Sequence, residues 1–223
     1  MHYEHQDAVD AASGVDWSPR PAGYRGKQIF DTVLVLVALP LLAPVIAMLW
    51  CLVKLDGGPG FFGHKRVGFG GHAFTCWKLR TMVPDAESRL QAQLAADGEV
   101  AREWHCHQKL QNDPRVTWIG PFLRKTSLDE LPQIWNVLMG EMSLVGPRPF
   151  TPDQLPLYVG AGGRSYFRVR PGITGPWQVH GRNATRFVER VQFDDAYSRN
   201  GSLFGDALLV LQTARVVLKM TGR

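Results

Sequence analysis

The glycine-rich loops that commonly hold nucleotides are missing from this sequence of 223 residues. It has no G-x-G-x-x-G that leads from a strand into a helix, and no G-x-x-x-x-G-K followed by Ser or Thr. No internal repeat is visible either. A nucleotide that binds this chain must therefore be held in some other way, if one binds at all.

Cysteine is scarce, with only Cys51, Cys76 and Cys106 in the whole chain. The number is odd and the spacing is unlike that of metal-binding cysteine motifs, so we expect reduced thiols of the cytosolic kind. Cys106 lies between His105 and His107. An isolated H-C-H on a polar stretch is more typical of a surface than of a metal site.

The charge balance favours cations. Lys and Arg number 25 against 20 Asp and Glu, a formal net charge of +5. This excess suits nucleotides, phosphates, acidic lipids or nucleic acid as partners. Residues 1–26 mix charged, small, Gly and Pro residues without an apolar period, and we predict a disordered leader there with no signal peptide.

Charge is absent from Val33 to Val53, a stretch long enough as a helix to cross a bilayer. Pro40 and Pro44 fall inside it, and each removes a helical hydrogen bond and favours a bend. Basic residues flank both ends, so the positive-inside rule gives no orientation for a span. The residues alone leave two alternatives open: a spanning helix, and a bent hairpin that enters and leaves on one face.

Basic residues recur on a predicted strand beyond this stretch. Residues 57–71 are rich in glycine and predict strands and tight turns. Phe74–Met82 then alternates as a strand, with Lys78 and Arg80 on one face. Two cations on one face could hold phosphate oxygens, or could simply form a solvated sheet edge.

Three helical segments are predicted outside the apolar stretch. Two run from Pro84 to about Asp97 and from Glu99 toward Lys109, and neither carries an obvious group of catalytic or ligand-binding residues. The third, Leu203–Met220, is largely apolar but is interrupted by charged residues. It is therefore predicted to be an interfacial helix, with packing against the globular part as the competing interpretation.

An acidic pair, Asp129 and Glu130, follows a basic and hydroxyl-rich segment. Pro132 is tolerated only in the first turn of a helix, so a helix is predicted to begin near residues 127–130, with both carboxylates at its positive end. The alternative is plain capping, because Ser127 and Glu130 also fit a capping box. Other candidate anion contacts are Arg115, Arg124, Arg148, Arg164, Arg168, Arg170 and Arg182.

Four motifs occur in order: RKTSLDELPQ, GEMSLVGPRP, RPGITG and GRN. Together they resemble the bacterial sugar transferase family, the monotopic phosphoglycosyl transferases, from Gly26 onward. The resemblance implies an α+β fold on the cytoplasmic face of the bacterial inner membrane. It implies a re-entrant helical hairpin broken at Pro40 and Pro44 over residues 27–56, a helix-rich catalytic domain over 57–202 and an interfacial helix over 203–223.

The resemblance also implies the chemistry. A hexose 1-phosphate passes from a UDP-sugar to undecaprenyl phosphate, UMP is released, and exopolysaccharide assembly begins. Asp129 is the implied nucleophile, which forms an aspartyl phosphosugar, and Glu130 is the implied ligand of Mg²⁺. Residues expected to hold phosphate or nucleotide are Lys78, Arg80, Arg115, Arg124, Arg148, Arg170 and Arg182. Nucleic acid is not expected as a partner, and the sequence gives no oligomeric state.

Two positions depart from the family pattern. Ala43 precedes Pro44 where the family often has Ser, and Pro176 replaces a large apolar residue. Trp177 resembles members that transfer galactose or glucose, which favours those two sugars. The competing function is a membrane-anchored basic scaffold that binds anionic lipid or nucleic acid. That alternative does not explain an acidic pair among arginines, and activity that needs both carboxylates and Mg²⁺ would separate the two functions.

Overall fold

A computed structural model describes residues 26–107, 110, 113–181 and 186–218. Nearly all of the predicted leader and Arg182 therefore lie outside the described residues. In chain order the elements are α1 (Lys27–Lys54), β1 (Phe61–Val67), β2 (Ala73–Leu79), α2 (Ala86–Ala96), α3 (Gly98–His107), α4 (Gly120–Thr126), α5 (Gln133–Leu138), β3 (Ser143–Val145), α6 (Leu155–Gly160), β4 (Gly172–Thr174), α7 (Arg190–Asn200) and α8 (Leu203–Leu218). This mixture of helices with small sheets confirms the predicted α+β class.

Helix α1 is 28 residues long and runs through Pro40 and Pro44 without a break. It is the one helix among the described residues that is long and apolar enough to cross a membrane. The predicted re-entrant hairpin is not confirmed, because the helix continues through both prolines. Both prolines lie on the exposed side of the helix.

One side of α1 packs against the globular part along the whole helix. Val35, Leu39, Leu42 and Ile46 join a cluster with residues of β2 and α5, including Cys76 and Ile134. Nearer the end of α1, Leu49 and Val53 pack with Leu79, Ile119 and Leu123. The other side presents exposed apolar residues: Ile29, Val33, Leu36, Val37, Leu41 and Met48. A contiguous exposed apolar face is typical of contact with a membrane or with another protein.

Two small sheets organise the rest. Strands β1 and β2 form an antiparallel hairpin in which Phe62 lies opposite Lys78 and His64 opposite Cys76. Strands β3 and β4 are parallel, and the loop after β3 lies against β4. Three buried rings, Phe150, Tyr158 and Tyr166, form the centre of an aromatic core behind that loop.

Helix α8 has two different sides. Leu209 and Val210 pack against a cluster that contains Val145 and Tyr197. Leu203, Phe204, Leu208 and Leu211 are exposed. The helix therefore packs against the domain, as the competing interpretation holds, while its outer side keeps the apolar character expected at an interface. Its interfacial placement stays a prediction.

Candidate functional site

The acidic pair lies in a tight turn between two helices. Helix α4 ends at Thr126, and its C-cap is Ser127. The φ of Ser127, 57°, is the only positive φ of a non-glycine residue in the described segments. A single 3₁₀ turn, Leu128–Glu130, then carries both carboxylates. Helix α5 begins only at Gln133, with Pro132 as its N-cap.

This turn corrects two predictions. The helix does not begin at 127–130, because Ser127 takes the left-handed conformation that ends α4 and so cannot cap a helix that follows it. Its side chain makes no capping hydrogen bond, so the capping box is absent as well. The left-handed serine thus ends α4 and sets the turn that carries the two carboxylates.

Glu130 accepts hydrogen bonds from two cations. Lys78 Nζ and Arg148 Nη2 each lie 2.8 Å from Glu130 Oε1. Burial alone would raise the pKa of Glu130, but Arg148 and Lys78 together outweigh it and hold that pKa well below its usual range. Glu130 is therefore ionised throughout the physiological pH range.

Asp129 has a different environment from its neighbour. It is 9% exposed, and Lys78 Nζ lies 3.6 Å from its Oδ2. Burial raises the pKa of Asp129 above its usual value, and Lys78 offsets this only in part. The α-helix begins only at Gln133, so the predicted α-helix N-terminus is not present at Asp129, and desolvation is the largest influence on its pKa. A poorly solvated carboxylate is a stronger nucleophile than a hydrated one.

Backbone contacts hold Arg148 in place. Gly146 N donates to Thr174 O and Gly172 N donates to Pro147 O, both at 2.8 Å. A Cβ on Gly172 would lie 2.1 Å from Gly146 N, so the two chain segments can approach this closely only because glycine is present. The loop that carries Arg148 is thus fixed against β4.

Arg124 approaches the pair from α4. Its Nε donates to Thr81 Oγ1 at 3.0 Å. Burial lowers the pKa of Arg124, and the charge of Asp129 opposes that change. Five residues that the sequence predicts as site residues are therefore electrostatically coupled in one place: Lys78, Arg124, Arg148, Asp129 and Glu130.

Three other predicted phosphate ligands are engaged by protein groups. Arg80 forms an ion pair with Asp56 and donates to backbone carbonyls that include that of Val53. Arg115 forms a bidentate pair with Asp113, at 2.7 and 2.8 Å. Arg170 Nε donates to Gly140 O at 2.6 Å. Phosphate binding by Arg80, Arg115 and Arg170 stays a prediction. The contacts of Arg80 and Arg170 join distant chain segments, and those of Arg115 hold a local turn.

A family profile described as bacterial sugar transferase matches residues 23–220. The exopolysaccharide production protein ExoY of Rhizobium meliloti is 46% identical over 204 residues, which are 91% of this chain and 90% of that protein. The chain belongs to the bacterial sugar transferase family. As a member it is an enzyme of the phosphoglycosyl transferase kind.

Two longer relatives of this transferase have names that state a reaction. Undecaprenyl-phosphate galactose phosphotransferase of Salmonella typhimurium is 46% identical over 196 residues, 88% of this chain and 41% of that protein. UDP-glucose:undecaprenyl-phosphate glucose-1-phosphate transferase of Escherichia coli is 38% identical over 195 residues, 84% of this chain and 39% of that protein. The transferase spans about two fifths of these two proteins.

The acidic pair of the transferase suits Mg²⁺ better than it suits a metal ion enclosed by protein side chains. Within the described segments no group of three or more His, Cys, Asp or Glu side chains could enclose an ion. Mg²⁺ needs only one or two carboxylates when substrate phosphates and water complete its shell. Both hydrogen bonds from Lys78 and Arg148 go to Glu130 Oε1, which leaves Oε2 as the oxygen suited to a cation.

Sequence reasoning missed Asn136, which aligns Lys78 with the acidic pair. Asn136 is fully buried on α5. Its Oδ1 accepts from Trp77 N at 3.1 Å and its Nδ2 donates to Thr75 O at 2.8 Å, so it joins α5 to both neighbours of Cys76 on β2. The sequence signal for Asn136 was an amide side chain in a short apolar segment. A buried amide must find hydrogen-bond partners, so such a residue is expected to join neighbouring elements.

Arg190 was missed as well. It is 2% exposed on α7, and its Nη2 donates to the backbone carbonyl of Arg148. No local pattern around Arg190 indicates this contact, because the two residues are 42 positions apart.

Proposed function

We propose that this transferase moves a hexose 1-phosphate, with galactose or glucose favoured, from a UDP-sugar to undecaprenyl phosphate, and that it releases UMP. The reaction would begin the assembly of an exopolysaccharide or another surface glycan. The relatives named above support the lipid acceptor and the two sugars. Trp177 agrees with the same sugars.

One observation carries the mechanism: two adjacent carboxylates have opposite electrostatic environments. Glu130 is held ionised by two cations, whereas Asp129 is desolvated and only loosely paired. Adjacent acids whose pKa values are pushed apart have different roles. Glu130 is accordingly the electrostatic partner, and Asp129 is the reacting group.

In the first step, an oxygen of Asp129 forms a bond to the phosphorus that carries the sugar. The bond from that phosphorus to the bridging oxygen breaks, and UMP leaves with the electron pair. In the second step, a phosphate oxygen of undecaprenyl phosphate attacks the same phosphorus and Asp129 departs as a carboxylate. Arg124 lies on the Asp129 side, where it would hold the phosphoryl oxygens as their charge is redistributed.

Mg²⁺ bound at Glu130 would supply a Lewis acid that neutralises the charge of the diphosphate. Glu130 would hold it through Oε2, while Lys78 and Arg148 keep Oε1 in position. Arg148 would in addition face the nucleotide from its rigid loop.

Contacts at both ends of α1 support the proposed membrane placement. At its start, Asp31 accepts a hydrogen bond from Ser143 Oγ of β3 at 2.5 Å. At its end, Val53 O accepts from Arg80, the residue after β2, at 3.2 Å. A straight helix of this length extends about 42 Å, more than the roughly 30 Å of a hydrocarbon core. Because both ends bind one catalytic unit, they would share the cytoplasmic face, where UDP-sugars are made.

A substrate panel tests the proposed function directly. Full-length protein in nanodiscs is incubated with undecaprenyl phosphate, Mg²⁺ and one UDP-sugar at a time, and UMP release is measured. UDP-galactose or UDP-glucose should give rapid release, and N-acetylated sugars should give little. Absence of UMP release with every UDP-sugar would overturn the proposal.

A further inference from the structure

Arg66 lies on the same face of the β1–β2 hairpin as Lys78, which binds Glu130 of the acidic pair. Alternate residues of a strand point to one face, so His64 and Arg66 share the face of Lys78 through the pairing of Phe62 with Lys78. The end of β1 is bonded to the chain just after Arg148, because Val67 N donates to Phe150 O at 2.9 Å. Arg66 therefore lies between the strand that carries Lys78 and the loop that carries Arg148.

Arg66 has no acidic partner among the residues that the structure describes, whereas its neighbours have one. Lys78 and Arg148 are both paired with Glu130. Arg66 Nη2 forms a hydrogen bond with His64 Nδ1, at 3.1 Å. Burial lowers the pKa of Arg66, and the charge of Arg148 lowers it further. A half-buried guanidinium without a carboxylate is a position at which a bound anion would be stabilised.

The contact with Arg66 defines the state of His64. A guanidinium only donates hydrogen bonds, so Nδ1 of His64 must accept and Nε2 must carry the proton. Burial, together with the charge of Arg66, lowers the pKa of His64 and keeps the ring neutral. Arg66 and His64 thus present only donors: the remaining guanidinium N–H groups and one imidazole N–H. Phosphate oxygens match this set of donors.

Among the phosphates of the donor, the surroundings of Arg66 favour the one that leaves. The end of β1 that carries Arg66 is bonded to the chain beside Arg148, the residue proposed to face the nucleotide, and Arg148 and Glu130 are among the charges that act on Arg66. Arg124 is among the charges that act on Asp129, the attacking group. In an in-line displacement the attacking and leaving oxygens lie on opposite sides of the phosphorus. Arg124 therefore stabilises charge on the side where Asp129 attacks. Arg66 stabilises charge on the opposite side, where the UMP phosphate leaves.

We propose that Arg66 and His64 bind the phosphate of the departing UMP. The inference rests on the proposed function and adds a subsite to it. As the bond between the transferred phosphorus and the bridging oxygen breaks, that oxygen leaves with the electron pair and becomes part of the UMP phosphate. The donors of Arg66 and His64 stabilise the negative charge that it gains.

Product inhibition tests the assignment. With full-length protein in nanodiscs, the inhibition constants of UMP and uridine are measured against the preferred UDP-sugar for wild type and Arg66→Gln. The variant should bind UMP about tenfold more weakly, whereas uridine, which has no phosphate, should inhibit both proteins equally. His64→Ala should weaken UMP in the same direction, since Arg66 loses the group that orients it. Lys65→Gln is the matched control: it removes one charge from the same strand on the exposed, opposite face, and should match wild type.

Each contrary outcome has a distinct meaning. Unchanged UMP inhibition in Arg66→Gln, alongside normal UMP release by wild type, would overturn the inference and leave the proposed function standing. An equal loss of UMP and uridine inhibition would also overturn it, because Arg66 would then act on the nucleoside or on folding. If wild type neither releases UMP nor is inhibited by it, the proposed function fails and this subsite fails with it.

Discussion

Arg190 donates a hydrogen bond from its guanidinium to the backbone carbonyl of Arg148. It does so from inside an aromatic cage, with its Cζ 5.4 Å from the ring centroids of Phe150, Trp177 and Phe187. Asp194 is its acidic partner, with Oδ2 at 3.3 Å from Arg190 Nε. A buried cation thus orients Arg148, the arginine that binds Glu130.

Arg190→Lys should therefore act through Arg148. Lysine keeps a positive charge near Asp194 but cannot reproduce the fork that also reaches the Arg148 carbonyl. We expect kcat/KM for the UDP-sugar to fall about tenfold, which corresponds to roughly 1.4 kcal/mol of transition-state stabilisation. UMP release is the measurement.

A double-mutant cycle with Arg148→Lys separates positioning from general damage. If Arg190 acts through Arg148, Arg190→Lys should lower kcat/KM much less in the Arg148→Lys background than in wild type. Equal costs in both backgrounds would instead assign Arg190 to folding alone. Arg164→Lys serves as control, because Arg164 also donates to backbone carbonyls, those of Val159 and Gly163, at the surface.

Asp129→Asn should abolish both steps of the reaction. Asparagine preserves the shape of the side chain but is not a nucleophile, so turnover should fall by roughly a thousandfold or more. With a radiolabelled UDP-sugar and no lipid acceptor, wild type should become covalently labelled and Asp129→Asn should not. Rapid transfer by a wild type that never labels would show that the lipid phosphate attacks the donor directly.

Glu130→Gln should fail in a different way. It keeps the nucleophile but replaces a charged partner of Lys78 and Arg148 with a neutral amide. The Mg²⁺ concentration needed for half-maximal labelling should rise about tenfold or more. A magnesium titration that coincides with that of wild type would mean that Glu130 only anchors its two cations.

The strand that carries Lys78 was predictable, whereas the turn that carries Asp129 was not. Alternation of polar and apolar residues is a local signal, and it correctly predicted strand β2. The start of α5 was misplaced because Pro132 is equally compatible with a first helical turn and with an N-cap. The left-handed conformation of Ser127 has no sequence signature, because serine adopts it only where the surrounding fold requires it.

Contacts between residues that are distant in the sequence explain the other differences between the sequence predictions and the structure. Arg80 alternates in phase with Lys78, as predicted, but Asp56 and Val53 engage it from 24 and 27 positions away. Partners at such distances depend on how α1 packs against β2, and pattern analysis of either segment cannot supply that. The same is true of Asn136, whose partner Thr75 is 61 positions away.

Both ends of α1 should be inaccessible from outside the cell. Single cysteines at Gln28 and Leu55, in a protein without native cysteines, should resist a membrane-impermeant maleimide in intact cells and react after permeabilisation. Both positions are exposed, and Leu55 is preferred to Gly57, because Gly57 has a φ of 82° that a cysteine would strain. Labelling of only one position in intact cells would mean that α1 crosses the membrane.

The start of α1 is joined to α8 by a buried charge cluster. Lys27 Nζ lies 2.7 Å from Asp31 and 3.0 Å from Asp206. Asp31 also accepts from Ser143, and Asp206 accepts from Tyr197 at 3.0 Å. One lysine therefore serves two buried carboxylates, and burial raises the pKa of Asp206 even though Lys27 opposes that change.

Lys27→Met should destabilise the protein in a pH-dependent way. Removing the cation leaves two buried carboxylates unpaired and should cost about 3 kcal/mol at pH 8. An acid whose folded-state pKa is raised contributes stability at low pH that is lost as the pH rises through that pKa. Loss of Lys27 raises the pKa of Asp206 further, so the variant should recover part of its stability at pH 5, where Asp206 is more readily protonated. Thermal unfolding in nanodiscs at pH 5 and pH 8 measures this, with Lys54→Met at the exposed end of α1 as control. An equal loss at both pH values would show that Lys27 contributes packing and no electrostatic stabilisation.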